Sequence, residues 1–205
     1  MGRRLLLARH CQSEFNAAGL LTGWANPDLT AEGKSDAYRL GLTLRNLDEP
    51  VSVVFASSLK RASETARIAC SAMKRDDVPV FETEKLWERS VGTMTGLSKA
   101  DVYESPVSNS HSWRTCFFSA PPGGESLAQV SQRAIPYIFN SVVPVLSLKG
   151  SALIVTHHNT IKAIMIAMSR SSLPDKINNG SVVELCIDSG MVRYVSPSMS
   201  CAHAA

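Results

Sequence analysis

Two short apolar runs each end in a histidine, and no other feature of the chain constrains its fold as strongly. Leu5-Leu6-Leu7 passes through Ala8 into Arg9-His10, after which the segment from Cys11 to Asn16 carries mostly polar side chains. Ala152-Leu153-Ile154-Val155 ends in His157, and Asn159-Thr160 open an apolar helical pattern. An unbroken apolar run without polar alternation is the pattern of a strand buried on both faces, as in a mostly parallel sheet. Ligands bind open α/β sheets beyond the carboxyl ends of the strands. One strand therefore delivers a guanidinium and an imidazole to that edge, and another delivers a second imidazole.

The remaining pattern agrees with this architecture. Strands are expected at Arg4–Arg9, Val51–Ala56, Val78–Thr83, Ala152–Thr156, Val182–Ile187 and Met191–Val195, alternating with helical segments. Ala37, Leu40, Leu44 and Leu47 recur at helical spacing, as do Leu59, Ala62, Ala66, Ala69 and Met73. Thr30 lacks a full capping box, whereas Ser57 and Ser58 are expected to cap a helix beginning near Lys60. A longer helix is expected from about Ser126 to Leu146, kinked at Pro136 and Pro144. The stretch from about Ser105 to Gly124, rich in Ser, Pro and Gly, is too long for a simple connection and marks a functional loop.

With 205 residues the chain fits a single domain, 1–205, in which Pro197–Ala205 forms a tail. Lys and Arg number 21 against 18 Asp and Glu, and they are scattered rather than blocked. Small anionic ligands fit that balance better than nucleic acid. No apolar stretch approaches the roughly 20 residues of a membrane span. Met1-Gly2-Arg3-Arg4 leads into a run too short for a signal peptide, so a cytoplasmic location is expected. Five cysteines without paired spacing argue against both disulfides and zinc.

Phosphoryl chemistry can be assembled from four separated segments: Arg9-His10, Arg61 at the start of a helix, Glu88-Arg89, and His157. A phosphoryl group in transfer spreads negative charge over its oxygens, which arginines and imidazole donors stabilise without a metal. A neutral histidine is a competent nucleophile, and a carboxyl group such as Glu88 can protonate the leaving oxygen. Cys11 is a poor alternative nucleophile, because cysteine-based phosphatase chemistry needs an arginine six residues on and position 17 is Ala17. His157 and His158 make no metal site, since adjacent side chains diverge and no carboxylate cluster accompanies them.

Taken in order, these segments resemble the histidine phosphatase superfamily and, within it, the cofactor-dependent phosphoglycerate mutases. The motifs are Arg9-His10 with downstream Asn16, Leu21-Thr22-Gly23-Trp24, Glu88-Arg89, Gly92 to Lys99, Trp113-Arg114, Pro121-Pro122-Gly123-Gly124-Glu125-Ser126 and His157-His158-Asn159. The resemblance covers nearly the whole chain. It implies a three-layer α/β sandwich with a mostly parallel central sheet.

By this resemblance His10 carries the phosphoryl group during turnover, Glu88 donates and accepts the proton, and Arg9, Arg61 and His157 clamp the group in transfer. Asn16, Asn159 and His158 border it, while Thr22, Gly23, Arg89, Lys99 and Arg114 match positions that contact the rest of the substrate. The resemblance further implies 2,3-bisphosphoglycerate as the priming cofactor, a small phosphorylated substrate, no metal and a possible homo-oligomer. Four positions depart from the family pattern: Cys11 and His158 replace glycines, Val91 a tyrosine and Thr115 an arginine. Hydrolysis of a small phosphomonoester, or phosphate binding without catalysis, therefore stay open beside mutase activity.

Overall fold

The computed structural model describes residues 3–75, 77–105, 109–146, 151–168, 177–188 and 191–195. The expected tail, Pro197–Ala205, lies outside them. Six strands form one sheet: β1 (Arg3–Arg9), β2 (Val51–Ser57), β3 (Val80–Thr83), β4 (Ser151–Thr156), β5 (Val182–Asp188) and β6 (Met191–Val195). Their order is β3-β2-β4-β1-β5-β6, with β3, β2, β4 and β1 paired in parallel and β5 antiparallel to both neighbours.

The apolar runs are buried on both faces. Leu5 and Leu7 join a core with Ala152, Ile154, Ala134, Ile138, Ile161 and Ile164, while Leu6 and Ala8 join another with Leu153, Val155, Leu40, Leu44, Ala62 and Ala66. The first core seals α6 (Leu127–Tyr137) and α8 (His158–Met168) to the sheet, and the second seals α2 (Ala31–Arg45) and α3 (Lys60–Met73) to its opposite face. The result is the expected three-layer sandwich. Its central strands read as continuous hydrophobic runs because neither face meets water.

Three local expectations are corrected. Neither Ser57 nor Ser58 caps α3: the capping position is Leu59, and the Lys60 N–H donates to Asn26 Oδ1 at 2.7 Å. The helix beginning at Ser126 does run to Leu146, but between its two prolines it opens into a widened π turn, Ile138–Val142, before α7 (Val143–Leu146). Prolines cannot donate to the preceding turn, and a locally widened helix accommodates that loss. The third strand begins at Val80 rather than Val78, just beyond Pro79, whose carbonyl accepts from the Val54 N–H at 3.0 Å.

Between β3 and α6 the chain leaves the sheet, and its Val91, Val102 and Trp113 build a smaller cluster with Leu21 from the segment before α2. The described parts of this excursion include α4 (Lys99–Glu104) and α5 (Ser110–Thr115), so the stretch read as an irregular loop contains a helix. A short helix, α1 (Glu14–Ala17), completes the set. The excursion folds back on itself at Gly92, whose φ is +54° and where a Cβ would lie 2.1 Å from the Pro122 carbonyl. Only glycine permits that approach.

Candidate active site

His10 leaves the end of β1 with 3% of its surface exposed. Its backbone N–H donates to the Thr156 carbonyl at 2.8 Å, which ties it to the end of β4. Its Nδ1 lies 2.7 Å from the Cys11 carbonyl. A carbonyl only accepts, so Nδ1 carries the hydrogen and Nε2 keeps its lone pair. Arg61 confirms that assignment, since its Nε–H donates to His10 Nε2 at 3.3 Å. Burial first, then the charges of Arg61 and Arg9, push the imidazole well below its usual value. His10 therefore presents an unprotonated nitrogen at neutral pH.

The α3 backbone carries Arg61 to this point, and two carbonyls fix its guanidinium: Ala25 accepts from Nη1 at 2.8 Å and Gly23 from Nη2 at 2.9 Å. Gly23 has a φ of +47°, and a Cβ there would meet Val91 Cγ2 at 2.8 Å. Burial lowers the Arg61 pKa to about 10, with Glu88 acting in the opposite direction. Arg9 is held by the Ile177 carbonyl, 2.6 Å from its Nη1, while its buried Nε has no partner among the described residues.

His157 follows β4 and is fully buried, its ring centroid 5.0 Å from that of His10. Its Nε2 lies 2.8 Å from Ser57 Oγ, whereas its Nδ1 is buried without a partner among the described residues. Burial and then the Arg61 charge push its pKa well down, so it too is neutral.

Glu88 is buried, and its Oε1 accepts from the backbone N–H groups of Arg89 at 2.8 Å and Asn159 at 3.2 Å. Asn159 lies in the first turn of α8, where free N–H groups and the helix dipole favour a carboxylate. The Glu88 carbonyl accepts from Trp24 Nε1 at 2.8 Å and Arg133 Nη2 at 3.0 Å. Arg133 in turn pairs with Glu125, whose Oε2 accepts from the Ser90 N–H at 2.9 Å. The Gly-Glu-Ser motif thus clamps the acid-bearing segment.

A second group of cations stands on the excursion between β3 and α6. Arg89 is buried over the Trp113 ring and donates through Nη1 to the Trp113 carbonyl at 2.7 Å, while its Nε has no partner among the described residues. Lys99 begins α4, half-buried, and its charge contributes to the depression of His10. Burial, followed by the charge of Arg9, lowers Lys99 itself. Arg114 is exposed and stacks over Tyr103 at 3.8 Å.

Of the residues the sequence pointed to, His10, Arg61 and His157 thus converge directly, with Arg9, Glu88 and Lys99 electrostatically coupled to them. Thr22 is half-buried on the loop that carries Gly23. Asn16 turns its Oδ1 towards the Ser13 N–H and hydroxyl and towards Asn179 Nδ2, leaving its own Nδ2 as the donor. His158 is half-buried, with Nδ1 3.5 Å from the Ile177 carbonyl. Cys11 sends its side chain away, into a cluster with Leu29 and Ala37. Val91 fills the space beside Gly23, and Thr115 is exposed and bonded to the His111 carbonyl of its own helix.

Sequence reasoning missed Ser57, read only as a helix cap, and also Asn179 and Arg133. Asn179 donates to the His10 carbonyl at 2.9 Å as well as to Asn16. Its Asn-Asn-Gly context was the available signal, a turn that precedes β5. Among the described residues no three His, Cys, Asp or Glu side chains group as a metal site, and no helix is long and apolar enough to cross a membrane.

A buried histidine with a bare Nε2, flanked by arginines, a second histidine and a carboxylate, is a set of groups able to carry phosphoryl transfer. A family model for the histidine phosphatase superfamily, branch 1, matches residues 5–198, and the chain belongs to that superfamily. A 2,3-bisphosphoglycerate-dependent phosphoglycerate mutase of Parvibaculum lavamentivorans is 35% identical over 192 residues, covering 93% of this chain and 88% of the relative. Among solved structures, Bacillus stearothermophilus YhfR superposes with a TM-score of 0.82 at 29% identity, covering 96% of this chain and 98% of the other. A mycobacterial glucosyl-3-phosphoglycerate phosphatase with VO3 superposes at 0.81, covering 94% and 96%, and at 23% identity it shows the shared fold.

Proposed function

We propose that the chain interconverts 3-phosphoglycerate and 2-phosphoglycerate through a phosphohistidine at His10, a reading supported by 35% identical relatives named 2,3-bisphosphoglycerate-dependent phosphoglycerate mutase. His10 Nε2 attacks phosphorus, an N–P bond forms, and the bond from phosphorus to the substrate oxygen breaks. Glu88 gives that oxygen a proton, and in the reverse transfer it takes one from the accepting hydroxyl. Arg9, Arg61, Asn16 and His157 surround the charge in transfer.

The observation that carries this proposal is the second cationic group. Hydrolysis needs only the inner cradle, whereas retaining a second anionic end while the phosphoryl changes position needs Arg89, Lys99 and Arg114. Buried donors without partners occur in both groups, Arg9 Nε and His157 Nδ1 in one and Arg89 Nε in the other. Two such sets fit the two phosphates of 2,3-bisphosphoglycerate, with the inner set and Arg89-Lys99-Arg114 as its holders. When bound, that compound supplies the phosphoryl group that primes His10.

The second reading is phosphomonoester hydrolysis. Thr115, exposed and bonded within its own helix, leaves Arg114 without the neighbouring arginine of the family pattern. Incubation with 2,3-bisphosphoglycerate and 3-phosphoglycerate separates the two. The expected product is 2-phosphoglycerate in excess over free phosphate. Phosphate in excess would replace the mutase reading with hydrolysis, and neither product would mean a silent phosphate binder.

A further inference from the structure

We propose that Ser57 is a positioning residue that holds His157 in the tautomer with its hydrogen on Nδ1. Ser57 and His157 are both fully buried, 100 positions apart in the chain and 2.8 Å apart in space. The backbone N–H of Leu59 donates to Ser57 Oγ at 3.3 Å. That contact occupies one lone pair of the hydroxyl and leaves its single hydrogen for His157 Nε2. The opposite arrangement, with Nε2–H donating to Ser57, would leave a buried hydroxyl hydrogen unpaired, because Ser57 Oγ has no hydrogen-bond partner among the described residues besides Leu59 and His157. Unpaired buried donors are costly.

The chain Leu59 N–H to Ser57 O–H to His157 Nε2 therefore puts the imidazole hydrogen on Nδ1, the buried atom without a partner. The two site histidines share one tautomer but use opposite ends of the ring. His10 offers a bare Nε2 as nucleophile, and His157 offers a protonated Nδ1 as donor. A neutral His157 can stabilise an anionic phosphoryl only from that tautomer.

The inference rests on phosphoryl transfer at His10 but not on the acceptor, so it holds for mutase and hydrolase alike. Nitrogen-15 NMR of histidine-labelled resting protein reads the tautomer without turnover, which separates its failure from failure of the mutase reading. The wild-type His157 signal should show a protonated Nδ1 and a bare Nε2. Ser57→Ala should mix the tautomers and lower kcat on the order of 10²-fold, the scale of losing one transition-state donor, with KM little changed. Ser57→Thr should restore both. A wild-type His157 protonated at Nε2 would overturn the proposal, as would Ser57→Ala that keeps the tautomer, whatever its rate.

Discussion

The inner cradle and the outer cationic group are built from different parts of the molecule. His10, His157 and Arg61 come from β1, the end of β4 and the start of α3, elements sealed by the two main cores. Arg89, Lys99 and Arg114 stand on the excursion that has left the sheet and rests on its own small cluster around Trp113. The inner groups are buried, with His10 and Arg61 held by backbone carbonyls and His157 by the Ser57 hydroxyl, whereas the outer group grades from buried Arg89 to exposed Arg114. In the proposed function the phosphoryl chemistry sits on the sheet. The groups proposed to select the substrate sit on the excursion, apart from the two main cores.

Five substitutions and a change of pH test that division. The largest effect belongs to His10→Ala, which should abolish both turnover and the acid-labile phosphoryl that intact-mass trapping detects. A phosphoryl trapped at another residue would break the division at its centre. Glu88→Gln should reduce kcat by about 10²–10⁴-fold, the usual scale of general acid–base catalysis, with a much smaller change in KM. Equal small effects on both constants would reduce Glu88 to a structural partner of Arg89.

The outer group should behave differently. Lys99→Ala should raise KM for 3-phosphoglycerate about tenfold, the scale of one lost charge-assisted contact, and Arg114→Ala less, because Arg114 is solvent-exposed. Neither should slow hydrolysis of an aryl phosphate that has no second anionic end. Equal losses on both substrates would merge the two groups into one.

The smallest effect concerns stability. His10 and His157 are held neutral in the fold by burial, while the unfolded chain binds protons near pH 6.5. Below that pH the unfolded state takes up protons that the folded state does not, so stability falls with pH, by about 1.4 kcal/mol per unit for each histidine until it too protonates. Urea midpoints between pH 7.5 and 5.5 should show this slope, and His157→Gln should make it shallower. An unchanged slope would mean that His157 is not a buried neutral group.

The strand ends and the arrival there of Arg9 and His10, with Arg61 at the start of a helix, were legible in the sequence because local order creates them. An apolar run followed at once by Arg9-His10 can only end at the edge of a buried sheet, and the spacing of Leu59, Ala62, Ala66 and Ala69 already turns one face of a helix towards that sheet. Tertiary structure decided the partners of these residues. Ser57 meets His157 because β2 pairs with β4 and aligns Ala56 with Val155, a register that no local signal encodes. Asn179 reaches His10 because β5 runs antiparallel beside β1. Likewise Cys11, which in sequence stands against the nucleophile, points into the α2 side of the core because successive side chains leave opposite faces of the chain. Sequence determined which groups arrive at the edge of the sheet, and the neighbouring Cys11 carbonyl fixes the His10 ring. Strand pairing, which joins β2 to β4, decided that the His157 ring meets Ser57, 100 positions away.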